Sequence, residues 1–283
     1  MFWKRRTPDN SAPLPNIRFD DNGDERIVFT LPRAKQPGLP SVLLFALPKS
    51  GSTLLDRMVR EVSAEAGLTY VSIMEEFFKL GIPDNLIPPA TSEIFLEKGY
   101  CYGGFRYLPR AFNIPIMASA KKVLLVRDPR DMLVSHYFSM KSSHPAPGKT
   151  LKSTSIKMGM RDLAQELDID AYVMGAVNRG FINFLTDYVD VCGKHDFKIY
   201  RYEDVIYEKK AWLTDICQYL GWTVSDRVIA RTVAKHDQFP SAENESKHIR
   251  QVHPGNYKTK LKPETIAALT ETFAGPMQVF GYS

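Results

Sequence analysis

The chain has 283 residues, 44% hydrophobic and 24% charged, which is typical of a soluble globular protein with one large domain or two small ones. Its net charge of +5 suits a small anionic ligand, and is too weak and too scattered to indicate nucleic acid. The three cysteines form no CxxC or Cys/His cluster, so no metal site is expected, and no apolar run reaches the roughly 18–20 residues that cross a bilayer.

Residues 1–40 are rich in proline, at positions 8, 13, 15, 32, 37 and 40. This composition predicts an extended N-terminal arm with one short strand near residues 26–31. The first six residues are basic, but no apolar signal core follows them. Together with the few, unclustered cysteines, this predicts a cytoplasmic protein.

Continuous apolar runs at residues 42–47 and 123–126 predict two strands that are covered on both faces, and a third strand is predicted at residues 197–202. A helical pattern follows each run, and two further helices are predicted at residues 171–189 and 263–273. The alternation of strands and helices predicts an α/β fold, a single domain with a central parallel sheet flanked by helices.

Residues 142–160 differ from the segments around them. They lack periodicity and are rich in Ser, Pro, Gly and Lys. This composition predicts a long loop, which is either a binding lid or a disordered surface segment.

The stretch PKSGST, residues 48–53, directly follows the first apolar strand and precedes a helix. Gly51 lets the backbone approach a ligand closely, and the amides at the helix start favour an anion. The hydroxyls of Ser50, Ser52 and Thr53 are further donors, and Lys49 supplies a mobile positive charge. The alternative interpretation is a capped helix with a solvated lysine.

The position of the lysine argues against a Walker A motif. That pattern, GxxxxGK followed by Ser or Thr, requires the lysine directly after the second glycine. In this sequence Lys49 lies two residues before Gly51. A magnesium-dependent kinase or NTPase is therefore the second hypothesis rather than the first.

A second polar motif, VRDPRDMLVSHYF, follows the second apolar strand. Asp128 suits a helix N-cap and Pro129 the first helical position. Arg127 lies at the end of the strand and Ser135 follows eight residues later, in the second turn of the helix. Both positions reach the carboxyl edge of the sheet, where ligands bind in open α/β folds. A nucleotide with phosphates at two positions satisfies this site and the loop at residues 48–53 together.

These motifs resemble those of the sulfotransferases that use 3′-phosphoadenosine-5′-phosphosulfate (PAPS). LPKSGST is similar to the family's 5′-phosphosulfate loop, and VRDPRDMLVSHYFS to its 3′-phosphate motif. YRYEDV and HDQF are similar to segments at the adenine, which implies cofactor contacts for Tyr202 and Phe239. HIRQVHPGNYKTKL, residues 248–261, is similar to the late loop over the 3′-phosphate and places Arg250 at its arginine. The resemblance implies a P-loop-like domain over residues 41–283, with PAPS as co-substrate and no metal.

The resemblance also implies a reaction, in-line transfer of the sulfuryl group to a hydroxyl of a small-molecule, lipid or carbohydrate acceptor. Lys49 is expected to stabilise the leaving phosphate. The family's catalytic histidine has no counterpart at residues 99–106, so Glu76, then Glu75 and then His136 are the candidate bases. A glutamate buried among the neighbouring apolar residues would have a raised pKa, as a base near neutral pH should. The alternative interpretation is two solvated helix glutamates. Arg106 is a candidate for binding the acceptor or the sulfate. A nucleotide-binding homologue with impaired catalysis remains a third hypothesis, and the sequence does not determine the acceptor or the oligomeric state.

Overall fold

The computed structural model describes residues 13–21, 23–143, 151–237, 239 and 251–283. Near the N-terminus, β1 (Asn16–Asp21) pairs with β2 (Asp24–Thr30) in an antiparallel hairpin. The remaining strands of the described chain form one sheet that is parallel throughout. Its members are β3 (Val42–Ala46), β4 (Thr69–Val71), β5 (Tyr100–Phe105), β6 (Lys121–Val126) and β7 (Lys198–Arg201). Their order across the sheet is β4-β5-β3-β6-β7.

Helices flank this five-stranded sheet. In the described residues the α-helices are α1 (Ser52–Glu65), α2 (Ile73–Leu80), α3 (Pro129–Phe138), α4 (Leu151–Glu166), α5 (Ile169–Ala176), α6 (Ile182–Lys194), α7 (Tyr202–Val205), α8 (Lys209–Leu220), α9 (Asp226–His236), α10 (Tyr257–Lys260), α11 (Pro263–Thr272) and α12 (Ala274–Val279). Short 3₁₀ helices lie at Asp84–Leu86, Pro89–Ile94 and Pro115–Met117, and π-helical turns at Ser139–Ser143 and Val177–Phe181.

The central strand β3 is buried along its whole length because both faces of the sheet are covered. Its side chains alternate between two hydrophobic cores, as the period of two of a strand requires. Leu43 and Phe45 pack in the core that includes residues of α3, α5 and α6. Val42 and Leu44 pack in the other core, with residues of α1, α8 and α9. This explains why the sequence here is continuously apolar rather than alternating.

The strand order creates a switch point between β3 and β6. The chain leaves β3 through α1 toward β4, on one side of the sheet, and reaches β7 from β6 on the other side. In open α/β sheets, ligands bind outside the carboxyl ends of the strands at such a point. Residues 48–53 follow β3 and Arg127 follows β6, so both predicted anion sites lie there.

The predicted fold class is confirmed, as are the three predicted strands and the helices that follow them. The sequence reading missed β4 and β5, because β4 has three residues and Gly103 and Gly104 interrupt the apolar pattern of β5. Over the part of the chain that the structure describes, no helix combines the length and apolar character needed to cross a membrane.

Two predictions about irregular segments need correction. Residues 151–160 belong to the helix α4 and not to a long loop. Both prolines of the segment, Pro145 and Pro147, precede residue 151, α4 accommodates Gly159, and residues 144–150 lie outside the described part. The N-terminal segment contains a hairpin of two strands rather than one strand, and Ile17 and Leu31 are fully buried in the core. The domain boundary at residue 40 stays a prediction.

Candidate active site

The loop after β3 has two residues in the left-handed region of backbone conformation. Gly51, at the N-cap of α1, has a φ of 92°, and Lys49 has a φ of 63°. Lys49 is the one non-glycine residue of the described chain with a positive φ. Such a conformation costs about 1–3 kcal/mol and is concentrated at functional sites. No side chain caps α1, so its first amides have no side-chain acceptor. We call residues 48–53 the anion loop.

Within the anion loop, Ser50 has a structural contact. Its hydroxyl donates to the Leu47 carbonyl at 2.6 Å and lies 3.2 Å from the Leu125 carbonyl, and the side chain is fully buried. Its backbone amide also donates to Leu47. Both donors of Ser50 are thus directed to the strands beneath the loop, and they fix the loop to β6.

The side chain of Lys49 crosses to the end of α3. Its ammonium donates to the hydroxyl of Ser139 at 2.8 Å. Ser139 lies four residues after the predicted phosphate ligand Ser135, so the two occupy one face of the helix. Ser135 is half-buried in the second turn of α3, as the sequence predicted. The lysine therefore connects the anion loop with the second predicted anion site.

Arg127 also connects the anion loop with α3. Its guanidinium donates to the Lys49 carbonyl at 3.2 Å and to Asp131 at 3.1 Å, and it lies 4.5 Å above the ring of Tyr202. The residue is buried, and its Nε atom has no hydrogen-bond partner among the residues that the structure describes. An unsatisfied buried guanidinium donor is costly, and an anion at this position would satisfy it.

Asp131 attaches the late loop to this arginine. Its carboxylate is 1% exposed and accepts the backbone amides of Gly255 at 2.7 Å and Tyr257 at 2.9 Å, in addition to Arg127. Arg250, the predicted arginine of this loop, lies outside the described residues. These contacts hold residues 255–257 of the late loop against the first turn of α3.

The predicted adenine contacts are placed as follows. Tyr202 is buried, and its hydroxyl donates to the Val252 carbonyl at 2.7 Å. A Cβ atom at Gly51 would lie 3.1 Å from its ring, so Tyr202 packs directly beneath the anion loop. Phe239 is 40% exposed and stacks against Tyr207 with an interplanar angle of 4°. The ammonium of Lys209 lies 3.8 Å from the centre of the Phe239 ring.

The end of β5 contacts both the anion loop and a carboxylate of α1. Nε of Arg106 donates to the hydroxyl of Ser52 at 3.0 Å, and its NH2 group lies 3.5 Å from the hydroxyl of Thr53. Asp56 accepts hydrogen bonds from the Tyr70 hydroxyl at 2.8 Å and the Gly104 amide at 3.1 Å. Sequence reasoning named Arg106 but missed Asp56, whose position in α1 reads as an ordinary solvated helix residue.

The two candidate bases on α2 lie on a face of the helix that is exposed to solvent. Glu75 and Glu76 pair with Lys79 at 3.1 and 3.0 Å, and their side chains are 45% and 41% exposed. Although partial burial raises the pKa of Glu75, its hydrogen bonds and charge interactions with Lys79 and Arg60 outweigh burial and lower it. Of the two alternatives for this pair, a buried base and solvated helix residues, the structure supports the second for Glu75, because α2 turns this face toward solvent.

The third candidate base, His136, is half-buried on α3. Its Nδ1 atom lies 3.0 Å from the hydroxyl of Tyr172, and the two rings stack at 6.0 Å. In the described residues, no group of three or more His, Cys, Asp or Glu side chains is placed to hold a metal ion.

Residues 109–281, more than half of the chain, match the family model described as a sulfotransferase domain. The match includes Arg127, Ser135 and Tyr202, whereas the anion loop precedes it. No curated protein sequence matches significantly.

Several solved structures are similar to this chain. A mouse sulfotransferase complexed with 3′-phosphoadenosine-5′-phosphate (PAP) is 15% identical over 84% of each chain, with a TM-score of 0.48. Retinol dehydratase in complex with androsterone and the inactive cofactor PAP is 16% identical over 84% of this chain and 80% of that chain, with a TM-score of 0.48. A sulfotransferase from Alicyclobacillus acidocaldarius is 14% identical over 85% of this chain and 94% of that chain, with a TM-score of 0.40.

Proposed function

This chain belongs to the sulfotransferase domain family, and from that premise we propose that it transfers the sulfuryl group of PAPS to a hydroxyl of a small-molecule, lipid or carbohydrate acceptor. The observation that carries the proposal is the bond from Arg127 to the carbonyl of Lys49, at 3.2 Å. It joins two cationic sites that follow adjacent strands, and a nucleotide with phosphates at two positions requires both. PAPS has this distribution of charge.

Each residue of the site has a proposed task. When bound, PAPS supplies the activated sulfuryl group. Lys49 and the amides of the anion loop stabilise negative charge at the 5′ end, where the leaving phosphate forms. Arg127, Ser135 and Arg250 bind the 3′-phosphate, and the buried Nε atom of Arg127 is a donor without a partner for that purpose. Tyr202 and Phe239 bind the adenine.

Arg106 is proposed to bind the sulfuryl group on the side of the loop that faces the acceptor. It already contacts the hydroxyls of Ser52 and Thr53. A guanidinium presents several donors in a fixed plane, which suits an oxyanion whose charge is redistributed during transfer. Its task is therefore to orient the group and balance its charge.

The test compares three hypotheses in one set of measurements. The purified chain is incubated with PAPS and a panel of alcohols, phenols, sterols and sugars, with and without EDTA, and in parallel with ATP. We expect acceptor-dependent release of 3′-phosphoadenosine-5′-phosphate (PAP) that survives EDTA. ATP turnover that EDTA abolishes would instead support a kinase or NTPase. Tight PAP binding by calorimetry without any PAPS turnover, to water included, would support a homologue with impaired catalysis.

A further inference from the structure

We propose that Asp56 is the general base of the transfer, and that Tyr70 and the Gly104 amide hold its carboxylate in place for that task. The inference rests on the proposed function and adds a residue that no sequence motif identified. Its basis is the position of this carboxylate beside the anion loop and Arg106.

The carboxylate of Asp56 is anchored through one oxygen. Oδ1 accepts both the Tyr70 hydroxyl, at 2.8 Å, and the Gly104 amide, at 3.1 Å. These donors come from β4 and β5, so two strands orient one side chain of α1. Anchoring through one oxygen fixes the carboxyl plane and leaves the second oxygen for an acceptor proton.

The anchor requires unusual backbone positions, which Gly103 and Gly104 supply. A Cβ atom at Gly103 would collide with the Tyr70 hydroxyl. Gly104 has a φ of +81°, and a Cβ atom there would collide with Oγ of Ser72. Without side chains at these positions, β5 leaves room for the Tyr70 hydroxyl and for Ser72, and the Gly104 amide donates to the same oxygen of Asp56 as Tyr70 does.

Asp56 lies next to the site of transfer. Ser52 and Asp56 are four residues apart in α1 and share one face of the helix. The chain leaving β5 follows this face, since Gly104 contacts Asp56 and Arg106 contacts Ser52. The anchored carboxylate and the guanidinium on the loop hydroxyls are thus neighbours along the rim of the anion loop.

A carboxylate beside an anion site opposes ligand binding while it is charged, and nearby negative charge raises its pKa. Burial raises the pKa of Asp56 above its ordinary value, against the opposing effects of the Tyr70 and Gly104 hydrogen bonds and of the Arg106 and Arg60 charges. The remaining titratable neighbour, Cys101, is buried and its own pKa is raised by burial. Two bound phosphates raise the pKa of Asp56 further, which moves the base toward neutral pH when PAPS is present.

The proposed step conserves atoms and charge. Asp56 takes the proton of the acceptor hydroxyl while the acceptor oxygen forms a bond to sulfur. The bond from sulfur to the 5′-phosphate oxygen breaks, and its electron pair stays on PAP. Water as acceptor yields inorganic sulfate by the same step, so PAPS hydrolysis tests the base before the natural acceptor is identified.

The experiment uses the full chain and three variants, Asp56→Asn, Tyr70→Phe and Glu61→Gln. The amide of D56N would keep an oxygen acceptor for Tyr70 and Gly104 but cannot take a proton. Y70F removes one anchor and keeps the carboxylate. E61Q is the matched control, because Glu61 is a paired carboxylate on the same helix, bound by Lys235 at 2.6 Å. Each protein is measured for PAP release from PAPS in water against pH, for PAP affinity and for melting temperature.

We expect D56N to slow PAP release by about 100-fold or more, as loss of a general base does, and to bind PAP at least as tightly as the parent. The parent's rate should rise with pH through the pKa of Asp56, and D56N should lack this rise. The parent should also take up protons when it binds PAP, measured by calorimetry in buffers of different ionisation enthalpy, and D56N should take up fewer. In the rate of PAP release, Y70F should fall between D56N and the parent. E61Q should match the parent in rate and in PAP affinity, whatever its melting temperature.

Two kinds of result overturn the assignment. D56N that hydrolyses PAPS at the parental rate removes Asp56 from the reaction. D56N that loses activity, PAP affinity and melting temperature together shows a structural role alone. If the parent releases no PAP with water or with any acceptor, the proposed function is contradicted as well. This result differs from the first two because the parent itself is inactive.

Discussion

Arg127 is the residue at which the two parts of the anion site meet. It contacts the Lys49 carbonyl, the Asp131 carboxylate and the ring of Tyr202, yet one of its buried donors has no partner in the described part of the chain. A buried arginine held by its neighbours loses little freedom when it binds a phosphate. The unsatisfied donor that costs free energy in the unbound protein is therefore the donor that we propose for the phosphate.

If Arg127 binds the 3′-phosphate, its removal should affect ligands with that phosphate most. We expect Arg127→Ala to weaken PAP binding by about 10–100-fold, the worth of hydrogen bonds to a charged group. The affinity for AMP, which lacks the 3′-phosphate, should change far less. Calorimetry with both ligands measures the difference, and Arg110→Ala is the control because Arg110 is exposed and pairs with Asp187. Equal losses for PAP and AMP would contradict the assignment.

The backbone conformation of Lys49 depends on the strand and the helix on either side of it. Its positive φ is imposed by β3 below and α1 above, since Ser50 is bonded to Leu47 and Leu125 and Gly51 starts the helix. The sequence identifies the loop from its residue types. Only the strand-loop-helix unit shows that Ser50 holds the loop down while Ser52 and Thr53 lie beside Arg106.

The proline-rich composition of the N-terminal segment gave no indication that its hairpin packs into the core. Ile17 of β1 is fully buried in the core, whereas Ile27 of β2 is 53% exposed. We expect Ile17→Ala to lower the free energy of unfolding by about 2–5 kcal/mol and Ile27→Ala by less than about 0.5 kcal/mol. Urea unfolding of both variants measures this. Similar small values would show that the hairpin does not contribute to the core.

At the scale of the whole molecule, helices α1 and α9 are joined by a cluster of charges. Glu61 accepts Lys235 at 2.6 Å and His236 at 3.0 Å. Burial raises the pKa of Glu61, but the hydrogen bonds and charges of Lys235 and His236 outweigh it and lower the pKa below its ordinary value of 4.5. A carboxyl group with a lowered pKa in the folded state stabilises the fold above its unfolded pKa.

This stabilisation should therefore be complete above the ordinary pKa of 4.5 and be lost as the pH falls through the lower folded value. We expect the parent's free energy of unfolding to decrease with acid over this window, and Glu61→Gln to decrease less steeply. Chemical unfolding at a series of pH values measures both slopes. Equal slopes would mean that the pairing of α1 with α9 does not contribute to acid sensitivity.

The sequence by itself determined the fold class and the strands β3, β6 and β7, and it predicted the residues of two anion sites. These features are local, since an apolar run of one strand or a spacing of eight residues is complete within a single segment. Only the tertiary structure decided which acids are buried. Glu75 and Glu76 lie on an exposed face, whereas Asp56 is enclosed by Tyr70 and Gly104. Those contacts join α1 to strands 14 and 48 residues farther along the chain, and no periodicity within one segment records them.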